Sequence, residues 1–279
     1  MLAALIIVFR EVFEAGLIVG IVMAVTRSVP LRGWWVSSGV GAGLAGACVV
    51  ALFAEVLSQA FAGSGQELFN ATILSVAVVM LTWHNVWMAR HGRELAADMR
   101  AAGEAVVAGR SSLTALAIVV GVAVLREGSE VVLFLYGILA SEGASGAAVF
   151  AGGLAGLVLG ALVGALTYFG LLRIPGRYLF AATSLMIAFL AAGMASQAVF
   201  FLAQADVLTA LGSTVWDTSW FLSDGSILGK ALHTLVGYSD QPSAMQLLVY
   251  AATLGITFVL MKLFAPPQQP PQQRPVAAE

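Results

Sequence analysis

Apolar residues run along this chain in long blocks, and polar residues are confined mostly to the gaps between them. A helix crosses the hydrocarbon layer of a membrane in about 20 residues. Seven blocks reach that length: 3–25, 34–60, 67–89, 113–139, 147–169, 178–202 and 244–264. The pattern predicts an all-α integral membrane protein with seven transmembrane helices, residues 1–264 forming a single transmembrane domain. Residues 90–112 are polar and helix-prone. Residues 203–243 are mixed, with four aspartates and the interfacial residues Trp216 and Trp220. Residues 265–279, rich in Pro and Gln, read as a disordered tail. The first block lacks a basic n-region and is interrupted by Arg10, Glu11 and Glu14, so it reads as a retained helix rather than a secretory signal.

Lys and Arg mark the cytoplasmic side. Ten of the 13 lie in alternate gaps or at the C-terminal end: Arg27, Arg32, Arg90, Arg93, Arg100, Arg110, Arg173, Arg177, Lys262 and Arg274. The other gaps hold only Lys230, which leaves Arg10 and Arg126 inside the predicted spans. This bias puts the N-terminus outside, the C-terminus inside and the 203–243 segment outside. The halves also resemble each other. Helix 1 reads REVFEAGLIVGI from Arg10, and helix 4 reads REGSEVVLFLYGI from Arg126. Gly39 and Gly43 in helix 2 are matched by Gly152, Gly156, Gly160 and Gly164 in helix 5. Helices 1 and 4 would run in opposite directions, so residues 3–89 and 113–202 read as two inverted three-helix repeats, with helix 7 apart. Such designs put the binding site near the bilayer midplane. The glycines read as packing positions.

Composition narrows the function. Charged residues make up 10% of the chain and hydrophobic residues 60%. The formal net charge of −2, without a basic cluster, excludes a nucleic-acid partner of the usual kind. The single cysteine, Cys48, excludes an intrachain disulfide and a thiolate metal cluster. No Gly-x-x-x-x-Gly-Lys-[Ser/Thr] motif is present, so ATP hydrolysis of the usual kind is not expected, and the chain does not read as an enzyme.

The informative residues are Arg10, Glu11, Glu14, Arg126, Glu127 and Glu130. An ionisable side chain at a membrane helix centre costs roughly 2.5–3.5 kcal/mol, so six cost on the order of 15–20 kcal/mol. Their spacing of three and four residues puts each set on one helix stripe, turned into the bundle. Four carboxylates and two guanidinium groups sum to −2, which suits a cation. Carboxylate oxygens are hard ligands for Mg, Ca, Mn and ferric iron. The arginines cannot ligate, but they can keep the carboxylates ionised. The other reading is a buried Arg-Glu network that only locks helices together; its duplication in both halves favours transport.

REVFE at 10–14 and REGSE at 126–130 resemble the paired Arg-Glu-x-x-Glu signature of the oxidase-dependent iron permeases, both the fungal high-affinity permeases and the bacterial ferrous-iron-uptake permeases. QELF at 66–69, LTW at 81–83, WM at 87–88, Ala-Ala-Gly at 191–193 and GYSDQPS at 237–243 extend the resemblance over nearly the whole chain. The resemblance implies a multi-pass permease of the bacterial inner membrane that imports ferric iron after an outside oxidase has produced it. It assigns iron binding to Glu11, Glu14, Glu127 and Glu130, with no permanently bound cofactor. The implied partners are a periplasmic cupredoxin-like protein and a haem peroxidase. A permease for Fe2+, Mn2+ or Pb2+, and a non-transporting scaffold for periplasmic redox proteins, are the competing expectations. Asn70 stands where the family usually has a glutamate, and His84 where it often has methionine.

Four secondary candidates follow. Glu67 and Glu55 would attract cations at the outer mouth, although Glu67 also suits a helix N-terminus. Asn70 offers a carbonyl to an ion. His84 reads as an exit-side ligand in the inner half of helix 3, or as a hydrogen-bonded bundle histidine.

Overall fold

The computed structural model describes residues 1–60, 66–142, 145–170 and 176–264. The side chain of Glu55 and the 265–279 tail lie outside the described residues. The helices are α1 (Leu2–Val25), α2 (Arg32–Ala60), α3 (Gln66–Val107), α4 (Leu113–Glu142), α5 (Gly146–Tyr168), α6 (Gly176–Gln204), α7 (Ile227–Val236) and α8 (Ala244–Leu263). Among the described residues the only β pairing is an isolated bridge between Thr214 and Ser243.

Among the described residues, five helices contain stretches long and apolar enough to cross a membrane: Arg32–Ala54, Gln66–Met88, Gly146–Tyr168, Ala181–Gln204 and Ala244–Leu263. Helices α1 and α4 have sufficient length, but each carries an Arg and two Glu within five residues. The seven-span expectation therefore turns on these two. Large apolar side chains such as Trp34, Phe53, Trp83 and Phe150 are exposed. Helices that are apolar all round need an apolar surrounding.

The glycines set the helix pairing. A Cβ at Gly39 would lie 2.4 Å from the Ala117 carbonyl oxygen, and one at Gly43 would lie 2.7 Å from that of Gly121. Backbone of α2 thus meets backbone of α4. On the other side, Gly152, Gly156 and Gly160 face Met1, Leu5 and Phe9, and Gly164 meets Gly16. In both pairs the numbers rise together, so α1 runs parallel to α5 and α2 parallel to α4. Helix α3 packs chiefly on α6. The expectation that these glycines serve close packing holds.

Helix α3 runs on unbroken through the polar 90–107 stretch, reaching 42 residues, or about 63 Å at 1.5 Å per residue. It ends near Gly109, where φ is +69°, and the amide of Arg110 donates to the Ala105 carbonyl at 2.8 Å. Its far end packs on the end of α1: a Cβ at Gly103 would lie 3.0 Å from Val25.

Two apolar layers follow from this packing. One contains Ala3, Ala4, Ile7, Leu74, Leu81, Phe134, Ile138, Ile187 and Met194. The other contains Val22, Val36, Val106, Leu116, Val120 and Val124. Along α1 and α4 the charged residues fall between these layers.

The segment between α6 and α8 is held by side-chain bonds. Asp217 accepts from the Ser219 hydroxyl at 2.6 Å, from its amide at 2.9 Å and from Gln241 at 3.0 Å. These bonds hold its carboxyl below the usual range. Asp224 and Asp240 each accept from the other's amide, at 3.2 and 3.1 Å. Burial, and then the nearby Asp240 charge, push the Asp224 carboxyl up despite that amide bond. Gly237 closes α7 in a left-handed conformation and packs on Gly193, where a Cβ would meet backbone at 2.7 Å. The Ala-Ala-Gly and GYSDQPS stretches are therefore two sides of one contact.

Candidate metal centre

The two motif stripes meet in the middle of the bundle, and α3 supplies a third wall. From α1, Arg10, Glu11 and Glu14 are all buried, as are His84 and Asn85 of α3 and Glu127 of α4. Glu130 is nearly so. Helical spacing explains the presentation, because residues three and four apart share a face.

Arg10 sits between its two carboxylates. Its Nε lies 2.9 Å from Glu14 Oε1, and its Nη1 donates to Glu11 Oε1 at 3.4 Å. A buried guanidinium is tolerable only when paired in this way. Arg126 is placed differently. Its Nε donates to Glu130 Oε1 at 3.2 Å and lies 4.0 Å from Glu127 Oε1. Its guanidinium carbon stands 4.2 Å from the centroid of the Trp87 ring, a cation–π contact.

His84 occupies the space between the motifs. Its Nδ1 contacts Glu130 Oε2. Its Nε2 lies 3.7 Å from Glu11 Oε2 and 3.8 Å from Glu14 Oε2. One ligand atom each from Glu11, His84, Glu127 and Glu130 can be chosen so that all four lie within 4.8 Å of one another. Several of these polar atoms have no hydrogen-bond partner despite burial, among them Glu11 Oε2, Glu127 Oε2 and Glu130 Oε2. Unsatisfied buried polar atoms are costly, and a cluster of carboxylate oxygens that face one another is eased by a cation. The arrangement can offer three carboxylates and an imidazole to one ion.

The expected positions divide accordingly. Glu11, Glu127 and Glu130 come together, whereas Glu14 is engaged mainly with Arg10. His84 stands level with the motifs, with Nε2 3.7 Å from Glu11 and 3.8 Å from Glu14. Asn70 and Glu67 do not reach the site. His84 is 14 residues from Asn70 along one helix, or about 21 Å. The Asn70 carbonyl instead accepts from Gln66 at 3.1 Å, and Glu67 is exposed in the first turn of α3. Two participants escaped the sequence reading. Trp87, three residues after His84, carries Arg126. Asn85 ties α3 to α6 by donating to the Ser184 carbonyl at 2.9 Å. The placement of a tryptophan three residues from a buried histidine was the available signal for Trp87.

The family model for the iron permease FTR1 family matches residues 1–266. The chain is 31% identical over 271 residues to a ferrous iron permease EfeU of Yersinia pestis, covering 96% of this chain and 95% of that protein. It is 32% identical over 268 residues to a protein of the same name from Escherichia coli O6:H1, covering 93% and 96%. A third, from Shigella sonnei, is 32% identical over 254 residues, covering 90% and 91%. No solved structure matches the chain.

Proposed function

The chain belongs to the iron permease FTR1 family, and from that premise we propose that it carries iron inward across the bacterial inner membrane, with the glutamates of α1 and α4 as the path. Membership makes it a multi-pass iron-transport protein of the membrane. The finer reading is ours. In it, α1 and α4 cross the membrane with the five apolar helices, giving seven spans with the N-terminus outside. Exchanging the first three helices for the next three carries the α1–α5 pair onto α4–α2 and leaves α3–α6 in place, which supports two inverted repeats. Glu11, Glu14, Glu127 and Glu130 hold the ion. Ferric iron arrives after oxidation of ferrous iron by periplasmic partners, a cupredoxin-like protein or a haem peroxidase.

The observation that carries the reading is the cluster itself: three carboxylates and an imidazole, from three helices, within 4.8 Å and sealed between two apolar layers. Ionisable groups at this depth mark ion pathways. The scaffold reading draws on one fact, the tight Arg10–Glu14 pairing, which a structural lock would also have.

Iron-55 uptake by cells lacking other iron importers separates them. Wild type is compared with Glu14→Gln and Glu130→Gln, at matched expression, under ferrous and pre-oxidised ferric supply. Import by wild type alone supports the carboxylate path, and the supply dependence identifies the oxidation state delivered. Normal import by both variants would remove the site assignment, and loss of folded protein in both would favour the scaffold.

A further inference from the structure

We propose that His84 joins the motif glutamates as a direct ligand of the transported ion, grouped most closely with Glu11, Glu127 and Glu130, while Glu14, paired with Arg10, stands at the edge of the set. This rests on the permease reading and deepens it.

The three histidines of the chain make the case by contrast. A structural histidine ordinarily anchors one ring nitrogen on a carbonyl. His91 Nδ1 meets the Trp87 carbonyl at 3.1 Å, and His233 Nδ1 meets that of Tyr238 at 2.7 Å. His84 does neither. It is 4% exposed, and both its nitrogens face carboxylates, Glu130 on one side and Glu11 and Glu14 on the other. Its ring is positioned edge-on by Phe134, with centroids 6.5 Å apart. An imidazole with no backbone anchor, set among carboxylates from two other helices, is placed as a donor.

The distances permit one ion. Oxygen and nitrogen donors bind transition ions at about 2.0–2.2 Å, so two donors on one ion stand at most about 4.4 Å apart. The observed spread of 4.8 Å closes to that with movements of a few tenths of an ångström. Glu14 lies outside this set, and its Oε1 forms an ion pair with Arg10 Nε at 2.9 Å without a hydrogen bond to it. The chemistry then bears on selectivity. Carboxylates alone suit Mg, Ca and Mn, whereas imidazole suits Fe, Zn, Ni and Cu. One nitrogen donor tilts the site towards iron and away from the abundant hard cations.

The full chain is purified in lipid nanodiscs and loaded with iron. Iron-edge X-ray absorption of wild type should show the multiple scattering of a coordinated imidazole. His84→Gln should lose that feature and bind Co2+ on the order of ten- to a hundredfold more weakly, with Mn2+ binding changed far less. Glu14→Gln should keep the imidazole feature. An all-oxygen shell in wild type overturns the proposal, and because that measurement uses no variant, it stands even if His84→Gln fails to fold. Equal weakening for Co2+ and Mn2+ would overturn the selectivity role. A wild type that imports iron with an all-oxygen shell leaves the permease reading intact. Normal import by Glu14→Gln and Glu130→Gln would sink that reading as well.

Discussion

In α1, Arg10 is 1% exposed and locked between Glu11 and Glu14; in α4, the side chain of Arg126 is 36% exposed, bonded to Glu130 and resting on the Trp87 ring. The two segments share one spelling, Arg-Glu-x-x-Glu, yet their surroundings differ. Charges removed from water interact more strongly and depend more on their partners. The α1 motif is therefore a fixed wall of the site. The α4 motif has an arginine that is partly exposed and rests on a tryptophan ring.

The sharpest test of this difference exchanges each arginine for glutamine. Arg10→Gln leaves buried carboxylates without their cation and should destabilise the protein by about 3–5 kcal/mol. Arg126→Gln should cost about 1 kcal/mol or less while still lowering uptake. Thermal unfolding in detergent, read beside iron-55 uptake, checks both; equal losses of stability would erase the distinction. The next effect concerns what presses the α1 wall into place. Gly156→Ala puts a Cβ 2.5 Å from the Leu5 carbonyl oxygen and should cost about 1–3 kcal/mol through overpacking. Gly41→Ala, with nothing within 4 Å, should leave the melting temperature unchanged. A smaller effect belongs to the α4 side. Trp87→Leu removes the stack under Arg126 and should cost about 0.5–1 kcal/mol, with a change in uptake larger than the change in stability. The smallest is a control that touches neither motif. Because the Asp217 carboxyl is held low by Ser219 and Gln241, its contribution is complete above the ordinary aspartate range and is lost as pH falls through its depressed value. The fluorescence of Trp216 and Trp220 should change over that acid window in wild type and lose the change in Asp217→Asn, while iron binding at neutral pH stays the same.

The sequence carries the helices well, because blocks of apolar residues leave few alternatives to a spanning helix. The six motif charges were equally plain, since nothing but a site or a lock explains them at that depth. Depth and facing across helices were harder to read. The sequence leaves His84 either an exit-side ligand in the inner half of helix 3 or a hydrogen-bonded bundle histidine; the structure sets it level with Glu14 and Glu130. Helices such as α5 are apolar all round, so periodicity does not reveal which stripe meets a neighbour; only the glycines did. Glu67 reads as an outer-mouth carboxylate and Asn70 as a carbonyl offered to an ion; about 21 Å of helix separates Asn70 from His84.

The two apolar layers also insulate. Ile7, Leu81, Phe134 and their neighbours on one side, and Val22, Val120 and Val124 on the other, are almost wholly buried and offer no hydrogen-bonding side-chain atoms. A chain of water molecules able to pass protons cannot be solvated there. In the proposed permease, the carboxylate cluster would therefore sit between two layers that give protons no wetted path. On that reading, the voltage across the membrane, worth about 2.3 kcal/mol per elementary charge at 100 mV, would fall mainly across these layers, and a cation would do its electrical work in crossing them.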